Sequence, residues 1–550
     1  MVMRKEYSAL TNNIQFAMKK FKLTAFFFLV TAFNCFSQSN IDVLHYRFHI
    51  ELFDSTDMIL GKADITLRFT ENTSTVKLNL ASKQADGKGM EVVKLTGTEI
   101  AGFQNNQDTL VLTLSKEAKK NDSVLLSIFY IGIPKDGLII TKRKDGTNSK
   151  TFFADNWPNR AHYWIPCNDR PDDKASFEFL VTAPAKYRVV SNGILQEEKL
   201  IAGNKKLTHW KEDIPLSTKV MVIGAAQFAV KTYTDSPEKI SVSAWVFSSD
   251  TLQGFQNYSF APQILKFFSS YIGPYPYKKL ANVQSKTIFG GMENASCIFY
   301  YDESATTKKS VEDLLAHEIA HQWFGNMVSE KKFADLWLSE GFATYLTNIY
   351  FENKYGRDSM NYRLKKERKE AIDFGRANRH PVVDSTTNLM SLLNANSYQK
   401  GGWILHMLRQ EAGDTVFKNI IRSFYNQYKG SNASSKDFEA VAEKISGKDL
   451  TAFFKQWLYQ PGIPQLDIHW KYDNKTKKLC LIVEQKQSGA AFQFPLELRI
   501  QSASGKSRLE KLWISNKQQT FNFSSTEPVA TVEADPFVNL LFDGRVQKIQ

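Results

Sequence analysis

The chain has 550 residues, 43% of them apolar and 13% aromatic, which is too long for a single core and too apolar for a disordered protein. About two to four domains are expected. The formal charge is +13, but residues 1–38 hold five Lys/Arg and one Glu, leaving +9; no nucleic-acid motif accompanies that charge, so solubility explains it and no nucleic-acid partner is expected.

Lys19, Lys20 and Lys22 precede an apolar run from Leu23 to Phe33, with Ser37, Gln38 and Ser39 after it. Eleven residues are too few to span a bilayer, which takes about 20. They suit a cleavable export signal within residues 1–38, with Met18 as an alternative start to Met1. A periplasmic or extracellular protein, with no transmembrane helix in its mature chain, is expected. Asn34 is a poor neighbour for lipid attachment at Cys35, so lipidation is not expected. Cys167, Cys297 and Cys480 lie far apart and form neither a disulfide framework nor a zinc ribbon.

From Ile41 to about Thr234, apolar and polar residues alternate. Tyr46, Phe48, Ile50 and Leu52 interleave with His45, Arg47, His49 and Glu51, and Ile65, Leu67 and Phe69 repeat the period. A period of two marks half-buried strands, so residues 39–235 read as an all-β domain. The texture changes near Thr234-Asp235-Ser236-Pro237. Residues 236–460 open with a strand at Val242 to Phe247 and then turn helical, with helices expected at Phe260 to Tyr271, at about Val311 to Phe324, and onward to about Tyr459. Within them Lys365-Lys366-Glu367-Arg368-Lys369-Glu370 mixes both signs and reads as a solvated helix face. Pro461-Gly462-Ile463-Pro464 breaks the pattern, and alternation returns from Leu466 to Asn539, suiting a small β-sandwich over residues 461–550. The fold class is α+β and multidomain.

Chemistry concentrates at His317-Glu318-Ile319-Ala320-His321. Two histidines four apart on a helix share one face, so both imidazoles can reach one ion, most plausibly zinc. Glu318 points about 100° around the helix, beside the ion rather than onto it, where a base can take a proton from water. The bland reading is an amphipathic helix with hydrogen-bonded histidines. Against it stands Glu340, with eighteen residues between it and His321. A catalytic zinc takes three protein ligands and keeps a fourth position open. Gly325 and Asn326 can end the first helix, and an antiparallel second helix can bring Glu340 to a site with one Zn2+ per chain. The pattern reads as a hydrolase of the peptidase kind.

Upstream stands Gly290-Gly291-Met292-Glu293-Asn294, downstream Gln322-Trp323-Phe324-Gly325-Asn326, Tyr398-Gln399-Lys400-Gly401, and Phe454 to Pro464. With the metal set, this combination resembles the aminopeptidase N family of zinc exopeptidases, which includes leukotriene-A hydrolase. The resemblance implies a thermolysin-like zinc domain and substrates that are peptides with a free N-terminus. It makes His317, His321 and Glu340 the zinc ligands, Glu318 the general base and Tyr398 the oxyanion donor. Glu293 becomes the carboxylate that holds the substrate's α-amine, while Met292 lines the pocket for the first residue; simple core packing explains Met292 almost as well. Gly290 and Gly291 let backbone approach the substrate.

Two departures stand out. Many relatives carry a second amine-binding Gln or Glu before a Pro-Cys-x-Asp stretch, here Pro166-Cys167-Asn168-Asp169. Counting back places Trp157 there, with Asp155 and Asn156 as neighbours able to substitute if the loop shifts; Trp157 can instead shape the first pocket by stacking. Longer relatives also end in a large helical domain over the site, and nothing after Gly462 reads as one, so a more open cleft is expected. An epoxide hydrolase, a thermolysin-like endopeptidase and a non-catalytic peptide-binding module are the alternative readings. Glu293 argues against the endopeptidase, and the complete ligand, base and tyrosine set argues against the binding module.

Overall fold

The computed structural model describes residues 40–97, 100–142, 149–235, 240–386 and 388–549. The expected export segment, Cys35, and part of the expected boundary at 236–237 lie outside the described residues.

The alternating N-terminal sequence forms strands whose apolar faces close a core. Tyr46, Phe48 and Ile50 of strand Ile41–Glu51 are buried, as are Ile65, Leu67 and Phe69 of strand Ile59–Phe69. The seven-stranded sheet runs in the order Ile194–Ile201, Lys205–Ser217, Lys174–Pro184, Ile41–Glu51, Ile59–Phe69, Ser123–Ile133, Gly89–Gly97. Its neighbours pair antiparallel except Ile41–Glu51 with Lys174–Pro184, where Phe48 faces Phe179 in parallel register. Smaller sheets of four strands and of three complete this β-rich region.

A five-stranded sheet follows, in the order Phe228–Tyr233, Ser241–Phe247, Lys279–Gln284, Cys297–Tyr300, Gly291–Met292. Its three middle strands are parallel, and every residue of Lys279–Gln284 is buried, as a central parallel strand requires. Strand Phe228–Tyr233 pairs along its length with Ser241–Phe247. It therefore belongs with this sheet, and the division expected at residue 235 cuts through the sheet; strand pairing places the break near Gln227. At the opposite edge Gly291 and Met292 pair with Tyr300 and Phe299.

Helices α1 (Thr251–Asn257) and α2 (Ala261–Tyr271) connect the strands; α3 (Glu312–Ala320), α4 (Trp337–Tyr355), α5 (Arg357–Ala377), α6 (Gly401–Ala412), α7 (Asp414–Tyr428), α8 (Ser435–Ser446) and α9 (Thr451–Tyr459) follow. Helix α4 is the hub: its residues from Trp337 to Tyr350 are all buried. No helix among the described residues is long and apolar enough to cross a membrane.

Beyond Pro464 the chain forms a four-stranded sheet and a three-stranded sheet. The strands continue past the expected limit at Asn539, because Asp543–Lys548 pairs in parallel with Gln465–Asp473. The mixed-charge run on α5 is solvated at Lys365, Lys366 and Lys369, as its composition suggests, but not at Glu367 and Arg368. Glu367 is buried, and the Arg368 guanidinium bonds the buried Asp535 carboxylate of the C-terminal region while lying over the Trp403 and Phe542 rings. A charge pair joining two regions leaves the same sequence signature as one facing water.

Candidate metal centre and active-site cleft

Helix α3 ends at Ala320, and His321 follows as its cap with φ −58° and ψ −22°, still helical. The four-residue spacing therefore keeps its geometry, and His321 N–H donates to His317 O at 3.3 Å. The helix is shorter than the expected run to Phe324. The chain turns instead, with Gly325 at φ +120°, where only glycine is unstrained. A Cβ at 325 would lie 2.4 Å from Ser339 Oγ and 2.9 Å from His321 Nδ1. His321 Nδ1 lies 3.1 Å from Phe324 O and 3.1 Å from Ser339 Oγ. With Nδ1–H donating to the carbonyl, Nε2 keeps its lone pair for a metal.

Glu340, in the first turn of α4, completes the set. His317 Nε2 and His321 Nε2 are 3.1 Å apart, and Glu340 Oε2 lies 3.4 and 3.2 Å from them. Ligand atoms 2.0–2.1 Å from a tetrahedral zinc are spaced about 3.3 Å apart, so the three donors fit that ion. Charge gives the same answer. Burial opposes a proton on His321, yet Glu340, then Glu293 and Glu318, raise its pKa to about 10. The same negative potential that draws a proton to His321 in the metal-free site favours a divalent cation in its place.

Glu318 is buried on the adjoining face of α3, beneath the edge strand, and packs so closely on Gly291 that no side chain fits there. The glycine at 291 thus makes room for the carboxylate, a tighter reason than access for substrate. At Gly290 an added Cβ would meet nothing nearer than Leu314 Cδ1 at 4.0 Å, so that position does leave open space. Burial holds the Glu318 carboxyl well above the ordinary range, which makes it a stronger proton acceptor.

Glu293 follows the edge strand, and its backbone carbonyl accepts from Gln322 Nε2 at 2.7 Å and Asn326 Nδ2 at 2.6 Å. Gln322 Oε1 in turn accepts from Ser296 N–H at 2.8 Å. Sequence reasoning placed Gln322 and Asn326 only within a shared motif; the structure makes them the clamp that ties Glu293 to the end of the histidine helix. The side-chain Oε1 of Glu293 is buried, and no group among the described residues donates to it.

Tyr398 lies in a π-helical segment, Asn396–Lys400, leading into α6. Its ring stacks on His317, with centroids 5.9 Å apart and planes 15° from parallel. Burial, then Glu340, Glu293 and Glu318, holds its hydroxyl well above the usual tyrosine range, so it stays a donor. Lys400 Nζ donates to Gly462 O at 2.7 Å and Gln460 O at 3.3 Å. The tyrosine segment is thereby pinned to the junction whose sequence also marked the resemblance.

A cleft of about 610 Å³ joins Glu318, Glu293, Met292, Gly290, Tyr398 and Trp157 to the metal ligands. Trp157 is buried in its wall, edge-on to Phe289 and Phe333 at 6.0 and 6.2 Å. An indole N–H only donates, so Trp157 forms an apolar wall and cannot accept from an amine through its nitrogen. The alternatives beside it are committed elsewhere. Asp155 accepts from Arg160 Nη2 (2.7 Å), Thr287 Oγ1 (2.9 Å) and Ile288 N–H (3.0 Å). Asn156 bonds Trp164 Nε1, Thr218 O and Met221 O. Neither takes the place of the amide or carboxylate that many relatives carry.

Comparison with known families matches the Peptidase M1 N-terminal domain to residues 43–220 and the Peptidase family M1 domain to residues 257–457. The chain belongs to peptidase family M1. The second match spans the three ligand residues, Glu318, Glu293 and Tyr398; the first spans Trp157. M1 relatives include Aminopeptidase M1-C of Oryza sativa subsp. japonica, 27% identical over 77% of this chain and 50% of the relative. Probable aminopeptidase 2 of Sulfurisphaera tokodaii is 28% identical over 75% and 53%, and Glutamyl aminopeptidase of Rattus norvegicus is 24% identical over 87% and 54%. The chain spans about half the length of these curated relatives. The M1 assignment gives the architecture its coarse meaning: a β-rich N-terminal domain precedes the peptidase domain, and further strands follow.

Proposed function

We propose that this M1 peptidase is a zinc-dependent aminopeptidase that releases the first residue from peptides with a free N-terminus. Glu293 carries the reading: a buried carboxylate oxygen without a donor among the described residues, beside a zinc-type triad, asks for a cation from the substrate. An α-amine, positively charged near neutral pH, supplies it. An endopeptidase substrate brings no such charge, and no observation favours epoxide chemistry.

Held by His317, His321 and Glu340, zinc would supply a Lewis acid that acidifies water and polarises the scissile carbonyl. Glu318 takes the proton that water loses and passes it to the leaving amine. Tyr398 donates to the carbonyl oxygen as it gains negative charge. Glu293 fixes the amine, so that the first peptide bond reaches the ligands, and Met292 with Trp157 walls the first side chain. Parallel strands, an edge strand above the histidine helix and Glu340 on the next helix support a thermolysin-like domain, and the two C-terminal sheets support a sandwich. The charged and apolar run before Phe33 supports export, which sequencing the N-terminus of the secreted protein would test.

The functional test is release from free and N-acetylated aminoacyl p-nitroanilides, with and without a chelator. Chelator-sensitive release from the free-amine substrates alone, restored by zinc, is expected. Equal cleavage of acetylated or interior bonds overturns the exopeptidase reading.

A further inference from the structure

The cleft continues past the metal ligands, and its far end has a charge pattern the proposed chemistry does not use. Asp313, His317 and His321 lie at four-residue intervals on one face of α3. Glu293 is clamped at the C-terminal end of that helix, through Gln322 and Asn326. Asp313 is eight residues before His321, about 12 Å away along the axis. On α4, Thr344 and Thr347 lead away from Glu340 on the same face, and α5 contributes Glu367. A peptide with its amine at Glu293 and its first bond at the ligands therefore directs its second residue to this end.

Two acid–base pairs lie here. Arg363 Nη2 lies 2.6 Å from Asp313 Oδ1, its Nε donates to Asn348 Oδ1 at 2.6 Å, and its guanidinium covers the Phe351 ring. Lys366 Nζ lies 4.0 Å from Glu370 Oε1. Glu367 is left over. It is 7% exposed, Oε2 accepts from Asn348 Nδ2 at 2.8 Å, and no Lys or Arg among the described residues forms an ion pair with it. Burial pushes its carboxyl up to about 7, against the opposing attraction of Arg363, which shares Asn348 with it but makes no direct ion pair to it.

We propose that Glu367, at the end of the cleft that receives the second residue of the substrate, selects a lysine or arginine side chain there. The inference rests on the aminopeptidase reading. A long cationic side chain can lay its methylenes along Leu314 and Thr347 and place its charge at Glu367. A carboxylate side chain would find a second acid there in place of a counter-charge.

The test compares kcat/KM for the amidated tripeptides Ala-Lys-Ala, Ala-acetyllysine-Ala and Ala-norleucine-Ala, with alanine p-nitroanilide reporting aminopeptidase activity. The wild-type chain is expected to prefer lysine over both uncharged analogues by about tenfold. In Glu367→Gln that ratio falls to within about twofold of one. Equal rates for the three peptides in the wild type overturn the inference without any variant. A lysine preference unchanged in Glu367→Gln also overturns it by assigning the preference elsewhere. Release from alanine p-nitroanilide with no lysine preference leaves the aminopeptidase reading standing. No release from any substrate removes both.

Discussion

The Glu318 carboxylate fills the space where residue 291 would carry a side chain: a Cβ there would lie 2.3 Å from Oε1 and 2.6 Å from Cγ. Neither atom sits at the end of a freely swinging chain, since both belong to a buried side chain under the edge strand. Gly291→Ala should therefore move the base and lower kcat by about tenfold or more, as small misplacements of a reacting group do. Zinc content by metal analysis should not change. Full turnover in this variant would mean that the strand yields instead of the glutamate.

Glu318→Gln keeps shape and removes the proton acceptor. A loss of about a hundred- to ten-thousand-fold in kcat is expected, with zinc still bound. Retained turnover would assign the base elsewhere.

Tyr398→Phe leaves the ring to stack on His317 and removes only the donor. Its kcat should fall about a hundred- to a thousand-fold with little change in KM. A change confined to KM would make Tyr398 a binding residue.

Glu293→Gln keeps the backbone clamp to Gln322 and Asn326 but loses the counter-charge. Its kcat/KM on free-amine substrates should fall about a hundredfold, while the trace rate on acetylated ones stays put. Equal losses on both would remove the amine anchor.

Arg368→Ala strips a buried carboxylate, Asp535, of its cation. Leaving one partner of a buried pair alone costs about 3–5 kcal/mol, to be read as a lower urea midpoint for unfolding of the peptidase and C-terminal regions. An unchanged midpoint would show that water reaches Asp535 freely.

The strand pattern of the N-terminal region was legible because one face of each strand is buried, so the period of two survives in sequence, as at Tyr46, Phe48 and Ile50. The pairing of His317 with His321 was legible because helix geometry couples spacing to direction; Glu340, on the next helix, was legible only through its place in the motif. What composition hid was destination. Glu367 and Arg368 sit in a run of mixed charge that looks solvated, and only tertiary contacts distinguish a carboxylate facing a cleft from one facing water. Gln322 and Asn326 bond to a carbonyl, which any amide can do, so nothing in their identity announced the clamp. Strand Phe228–Tyr233 carries no pattern that separates it from its predecessors, and pairing alone assigns it to the next sheet.

That clamp also acts as a gauge. Gln322 is the residue after His321, so the position of Glu293 is read off the same turn that positions a ligand, and the two move together. On the proposed reading, the interval between anchor and ligands is matched to one α-amino acid. A peptide beginning with a β-amino acid sets its amine one carbon, about 1.5 Å, too far from its first carbonyl, and can satisfy the anchor or the ligands but not both at once. Such peptides should bind as competitors and leave uncut.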